Sequence, residues 1–251
     1  MSRIPRITSN SGVYHVMLRA VNQRQIFFDD ADYLYYIRLL KHYKTVSGYQ
    51  LYAYCLMGNH VHLLIKEGPE KLATAFQRIG AAFAIWYNGK YERVGHIFQG
   101  RFKSEPVDTQ NYLFTVLRYI LRNPVAAGIC LSPADYSYSN ASVYFGYPDN
   151  LTDADFIFSL IDPKNLRQFI LQDNQDSCLE ISPKVRNRMP DEKASELILR
   201  EFGTLTPLVG RKKDRASFDM SVSKLFRAGI SIRQLSRLTG ISKGILQRVK
   251  L

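Results

Sequence analysis

Residues 13–20 (VYHVMLRA), a largely apolar, β-branched and aromatic run, predict a first strand, on which His15, Met17 and Arg19 share one face because successive side chains point to opposite sides. A polar turn at 22–25 follows. Leu34, Ile37 and Leu40 then recur at helical spacing, which predicts a helix with Asp30 as N-cap, running to about Val46 and stopped by Gly48. Two apolar-aromatic runs, 49–57 and 60–66, flank Gly58-Asn59 and predict a two-residue hairpin with a type II′ turn. On its second strand His60, His62 and Leu64 face one way, and Val61, Leu63 and Ile65 face the other.

A second helix is predicted over 70–88, where Leu72, Phe76, Ile79, Phe83 and Trp86 form a stripe and Gly89 serves as stop. A glycine-bearing loop, 95–104, leads into an extended run ending at Pro106. A third helix is predicted from an N-cap at Asp108 to Asn123, where Pro124 disfavours helical geometry in the residue before it. Leu113, Leu117, Ile120 and Leu121 give this helix a core stripe; Tyr112, Val116, Tyr119 and Asn123 lie on a neighbouring one. The order strand, helix, strand-turn-strand, helix, strand, helix predicts an α+β fold, an antiparallel sheet with packed helices in a ferredoxin-like arrangement.

Charge divides the rest of the chain. Residues 1–148 carry 16 Lys+Arg against 9 Asp+Glu, residues 149–183 carry 2 against 7, and residues 184–251 carry 16 against 6. The reading is a body over 1–147 whose Tyr/Ser-rich 132–147 straps back over it, an acidic connector over 148–183 with a short helix at 164–171, and a basic all-helical region over 184–251. In the last, helices are expected at 191–202, 216–228, 232–238 and 243–249, with Ser231 and Ser242 as N-caps and a tight turn at 239–241. The final pair reads as a helix-turn-helix whose second helix offers Lys243, Gln247, Arg248 and Lys250 to phosphates or base edges of duplex DNA. An ordinary helical hairpin with basic exposed residues fits the same pattern.

A net charge of +12 favours a polyanionic partner, nucleic acid above others. Cys55, Cys130 and Cys178 form no CxxC pair, so neither a disulfide framework nor a zinc knuckle is indicated. No apolar run reaches the length of a membrane span and residues 1–6 lack a signal-peptide core, so the expectation is a cytoplasmic protein with no membrane partner. Neutral imidazoles two apart on a strand can share a cation, although strand histidines are more often structural. Tyr119 and Asn123 stand one helical turn apart on one face, so a helix laid across the histidine face can present phenol and amide together.

The set His60-Val61-His62, then Tyr119-Ile120-Leu121-Arg122-Asn123-Pro124-Val125, with Tyr14-His15-Val16, Met57-Gly58-Asn59 and Gly100-Arg101-Phe102, resembles the single-tyrosine HUH transposases, most of all the REP-associated tyrosine transposases. The likeness covers a little over half the chain, from about Val13 to Gly146. It implies a metal-dependent single-strand DNA endonuclease and strand transferase, with His60, His62 and Asn123 as ligands of Mg²⁺ or Mn²⁺. Tyr119 is then the nucleophile, forming a 5′-phosphotyrosine and a free 3′-hydroxyl on single-stranded or hairpin DNA. Arg19, Arg101 and Arg122 are expected contacts to the DNA backbone, and His15 either joins them, faces the metal site or hydrogen-bonds within the sheet. A domesticated DNA-binding regulator without cleavage is the alternative, and monomer and homodimer are both compatible with the sequence.

Overall fold

In a computed structural model that describes residues 6–173, 178, 190–205 and 215–249, the chain forms two compact units, 1–181 and 182–251. The strands of the first unit are β1 (Val13–Arg19), β2 (Gln50–Met57), β3 (His60–Lys66) and β4 (Lys103–Pro106). They form one antiparallel sheet in the order β2-β3-β1-β4, the ferredoxin-like order that the sequence predicts. The expected hairpin joins β2 to β3 through Gly58 and Asn59, pairing Met57 with His60. Its turn is not type II′, because that turn needs a left-handed first residue and Gly58 has no positive φ. Backbone contacts from outside hold it instead: the Gly58 carbonyl accepts from Ile26 N at 2.8 Å, and the Asn59 carbonyl accepts from Ala20 N at 2.9 Å.

Helices α1 (Asp30–Ser47) and α2 (Leu72–Lys90) cover one face of the sheet. Val16, Leu18, Val61, Leu63 and Ile65 pack there against Tyr36, Leu40, Phe76, Ile79 and Phe83. The N-cap of α1 is Asp29 rather than Asp30; it forms a capping box with Asp32, and Gly48 closes the helix at φ 70°. Gly89 does not stop α2, which continues to Lys90.

The opposite face is buried too, by α3 (Gln110–Ala126), whose Leu113, Val116, Leu117, Ile120 and Leu121 join Val13, Ala53, Cys55 and Leu64 in a second core. Thr109 caps α3 by accepting from Tyr112 N. Asp108, the expected cap, instead accepts from Ser9 Oγ and from the amides of Asn10 and Ser11. Pro124 lies inside the helix, which runs one turn past Asn123.

The acidic segment expected as a connector belongs partly to this core. Beyond α4 (Ala141–Tyr144), helices α5 (Ala154–Leu160) and α6 (Pro163–Leu171) bury Ala154, Ile157, Leu166 and Ile170 in it. Residues 136–153 run along the outer edge of β2. Asn140 Oδ1 accepts from Tyr54 N at 2.8 Å and its Nδ2 donates to Tyr52 O at 2.9 Å. Asp153 takes the Leu51 amide at 2.7 Å, Leu56 N donates to Tyr138 O at 2.9 Å, and the Tyr136 hydroxyl donates to Leu56 O at 2.7 Å. The edge strand therefore presents no open hydrogen-bonding row there.

The second unit holds α7 (Asp191–Phe202), α8 (Arg215–Arg227), α9 (Ile232–Thr239) and α10 (Lys243–Leu246) around Ala194, Ile198, Val222, Leu225, Leu235 and Leu246. Gly203 ends α7 and Gly240 ends α9, both left-handed. Among the described residues no helix is long and apolar enough to cross a membrane.

Candidate active site

β1 and β3 pair so that Met17 faces His62 and Arg19 faces His60 across the strands. His15, Met17, Arg19, His60 and His62 therefore lie on the sheet face that α3 covers, as the alternation predicts. α3 brings Tyr119 down beside them. Its ring centroid is 5.5 Å from that of His62 and 5.9 Å from that of His15, in edge-to-face contacts. The His60 and His62 rings are 4.9 Å apart, and the Asn123 side chain hydrogen-bonds His60. Residues separated by about sixty positions thus meet in one site. Because α3 does not end at Asn123, that amide is not spent on capping a terminus and turns to the histidine.

Burial holds both imidazoles in their neutral form. His60 is pushed down to about 4, by burial first and then by Arg19, with the Asn123 hydrogen bond opposing. His62 lies well below the ordinary histidine value through burial and its His15 and His60 neighbours. Neutral imidazole is the ligand form.

The ring nitrogens are placed unequally. Asn59 Nδ2 donates to the Gln23 carbonyl at 3.1 Å, which leaves Asn59 Oδ1 to accept from His60 Nδ1 at 2.6 Å. His62 Nδ1 lies 3.0 Å from His15 Nε2, and His15 Nδ1 lies 3.0 Å from Glu105 Oε1. Glu105 Oε1 also accepts from the Tyr112 hydroxyl at 2.7 Å; burial and this carboxylate push the Tyr112 phenol up, so it stays a donor. His62 Nε2 is buried with no hydrogen-bond partner among the described residues. Among the described residues no three His, Cys, Asp or Glu side chains group as metal ligands. The donor set is instead two imidazoles and the Asn123 amide, and the orphaned buried Nε2 fits a cation bound at that point.

Other expected contacts lie elsewhere. Arg101, exposed, lines a groove of about 530 Å³ with Arg6, His96, Phe98 and α2 residues on the opposite side of the sheet. Arg122 is not at the site: its guanidinium donates to the Ile170 and Leu171 carbonyls, at 3.2 and 2.8 Å, and pairs with Asp173. It ties α3 to the C-terminal end of α6, whose last carbonyls need donors. In the second unit Lys243, Gln247 and Arg248 are exposed, but α10 is a single turn, shorter than expected, and Ser242 makes no side-chain cap; Lys250 lies outside the described residues. Sequence reasoning gave Glu105 no role. It stands opposite His15 in the β1–β4 register, and such strand pairing is not visible in a linear pattern.

A ferredoxin-like sheet with a His-x-His strand facing a tyrosine-bearing helix is the arrangement implied by the sequence resemblance to the single-tyrosine HUH transposases. Residues 8–123 match the family model described as "Transposase IS200 like". Among solved structures, a REP-associated tyrosine transposase bound to a REP hairpin is 19% identical, with a TM-score of 0.50 over 61% of this chain and 94% of that one. A putative transposase from Deinococcus radiodurans R1 is 20% identical, with a TM-score of 0.33 over 47% of this chain and 95% of that one. No curated protein matches the chain.

Proposed function

We propose that this protein is a metal-dependent single-strand DNA endonuclease and strand transferase that works through Tyr119. The observation that carries the reading is the convergence of His60, His62, Tyr119 and Asn123 on one partly buried face. The Tyr119 hydroxyl attacks a backbone phosphorus, forming a tyrosyl O–P bond and breaking the P–O3′ bond. The products are a 5′-phosphotyrosyl protein and a 3′-hydroxyl, the proton lost by the phenol passing through solvent to the departing 3′-oxygen. Attack by a 3′-hydroxyl reverses the exchange and frees the tyrosine. His60 and His62, through Nε2, and Asn123, through its amide oxygen, would hold Mg²⁺ or Mn²⁺. Bound there, the cation supplies Lewis-acid polarisation and orientation of the scissile phosphate.

Arg19, beside His60, would pair with a DNA phosphate, and Arg101 with Arg6 would offer a second basic patch. The REP-hairpin complex of the similar transposase supports hairpin-bearing single strands as the substrate class. Lys243, Gln247 and Arg248 give the second unit its contact to duplex DNA, independent of the cleavage site.

The test incubates the protein with a panel of hairpin-bearing, end-labelled single strands plus Mn²⁺ and looks for a denaturation-resistant adduct. Tyr119→Phe should lose the adduct while still binding DNA, and chelation should abolish it in the wild type. Cleavage that survives Tyr119→Phe removes the tyrosine mechanism. Tight hairpin binding with no adduct under any divalent metal identifies a regulator instead.

A further inference from the structure

His62 is held from behind by a chain of buried polar groups that the cleavage mechanism does not use. Tyr112 and Glu105 lie at its outer end, His15 in the middle and His62 at the inner end. Glu105 sits on β4, His15 on β1 and His62 on β3, so the chain crosses three adjacent strands beneath α3, which supplies Tyr112. His15 is fully buried and Glu105 is largely so.

The donors and acceptors can be ordered from the outer end. A carboxylate only accepts, so the proton between Glu105 Oε1 and His15 belongs to His15 Nδ1. In a neutral His15, Nε2 is then a lone pair, and the proton between the two histidines belongs to His62 Nδ1. His62 Nε2 is left as a lone pair, and it is a buried atom with no hydrogen-bond partner among the described residues. With the opposite order, His62 Nε2 would be a buried N–H donating to nothing, at a cost of roughly 1–3 kcal/mol. The Tyr112 hydroxyl favours the first order, since it donates to the same Glu105 oxygen and leaves that oxygen no proton to give.

We propose that Glu105 and His15 are positioning residues: a Glu105–His15–His62 relay, anchored by Tyr112, fixes the His62 tautomer and ring orientation and thereby presets Nε2 as a ligand for a divalent cation. Metal-bound histidines commonly give their second N–H to a carboxylate or carbonyl. Here a second histidine is interposed, because β1 lies between the strand that carries the ligand and the strand that carries the acid. His60 is set separately, through Asn59 and the Gln23 carbonyl. The relay rests on His62 being a metal ligand, as proposed above, but the tautomer itself can be read without metal.

Two measurements on the full chain at pH 7 test it. Long-range ¹⁵N–¹H correlation spectra of the metal-free protein should show His62 protonated at Nδ1 and bare at Nε2. Calorimetric titration with Mn²⁺ should show affinity falling about 10–100-fold in Glu105→Leu, which has no acceptor. Glu105→Gln should restore most of the affinity, because its amide oxygen can accept from both His15 and Tyr112. A proton on His62 Nε2 in the wild type overturns the relay even if the leucine variant does not fold. So does Mn²⁺ affinity unchanged between Glu105→Leu and wild type. The metal assignment fails separately if His62→Ala binds Mn²⁺ as well as wild type, and the spectra still decide the tautomer.

Discussion

His60 and His62 make the metal-free protein sensitive to mild acid. Both have folded pKa values below the ordinary 6.5, His60 at about 4. As pH falls through 6.5 the unfolded chain takes up protons that the folded chain refuses, so stability is fully present above that value and declines toward pH 4. Each such histidine contributes a slope of at most about 1.4 kcal/mol per pH unit. Urea midpoints measured with chelator between pH 7 and 5, above most carboxylate titration, should fall in the wild type and fall less steeply in His60→Gln. Equal slopes in the two proteins would mean that His60 takes up its proton as readily folded as unfolded.

At the residue scale, strand alternation and the one-turn step from Tyr119 to Asn123 made both halves of the site legible in the sequence, and the family resemblance joined them. Arg122 lies apart from His60 and Tyr119 because its partners, the last carbonyls of α6, are about fifty residues away in sequence. Glu105 likewise escapes a linear reading, since only pairing of β4 with β1 sets it opposite His15.

Elements were legible where local pattern decides them. The strands, the two-residue hairpin and the helices α1, α3 and α7 follow from periodicity and glycine stops, to within a few residues. They deviate where tertiary contact overrides the local signal. The local pattern predicts a left-handed Gly58, yet amides from residues 20–27 hold that turn in another geometry. Pro124 was read as a helix stop, but α3 is packed along its length and continues. Asn140 is the clearest element-scale case, because its amide substitutes for a neighbouring strand at the edge of β2. Asn140→Ala should cost about 2–3 kcal/mol, chiefly by leaving the buried Tyr54 amide without an acceptor. Urea unfolding reads this directly; a loss within about 0.5 kcal/mol, the range of surface substitutions, would show that the amide finds another partner.

On the scale of the whole molecule, the chain divides into compact units at 181/182, and the acidic segment expected as a connector packs in part into the core of the first unit. The acidic residues of 148–173 mark the solvent face of helices whose other face is core, and net charge alone cannot distinguish such a face from a tether. Leu166 and Ile170, at helical spacing, were the visible sign of burial. The second unit has a core of its own, built from all four of its described helices, so its helical expectation holds while its last helix is shortened to one turn.

The strap along β2 separates what is inherited from what can stand alone. The family-model match ends at residue 123, yet every backbone partner described above for the outer side of β2 comes from residues 136–153. A chain ending at 123 would keep Tyr119, both histidines and Asn123 but bare a strand flank able to recruit another copy. It should sediment as aggregate, whereas a chain ending at 173 should stay monodisperse at the same concentration; equal behaviour would make the strap dispensable. The smallest portion that carries the chemistry is therefore smaller than the smallest portion that can be kept in solution to perform it.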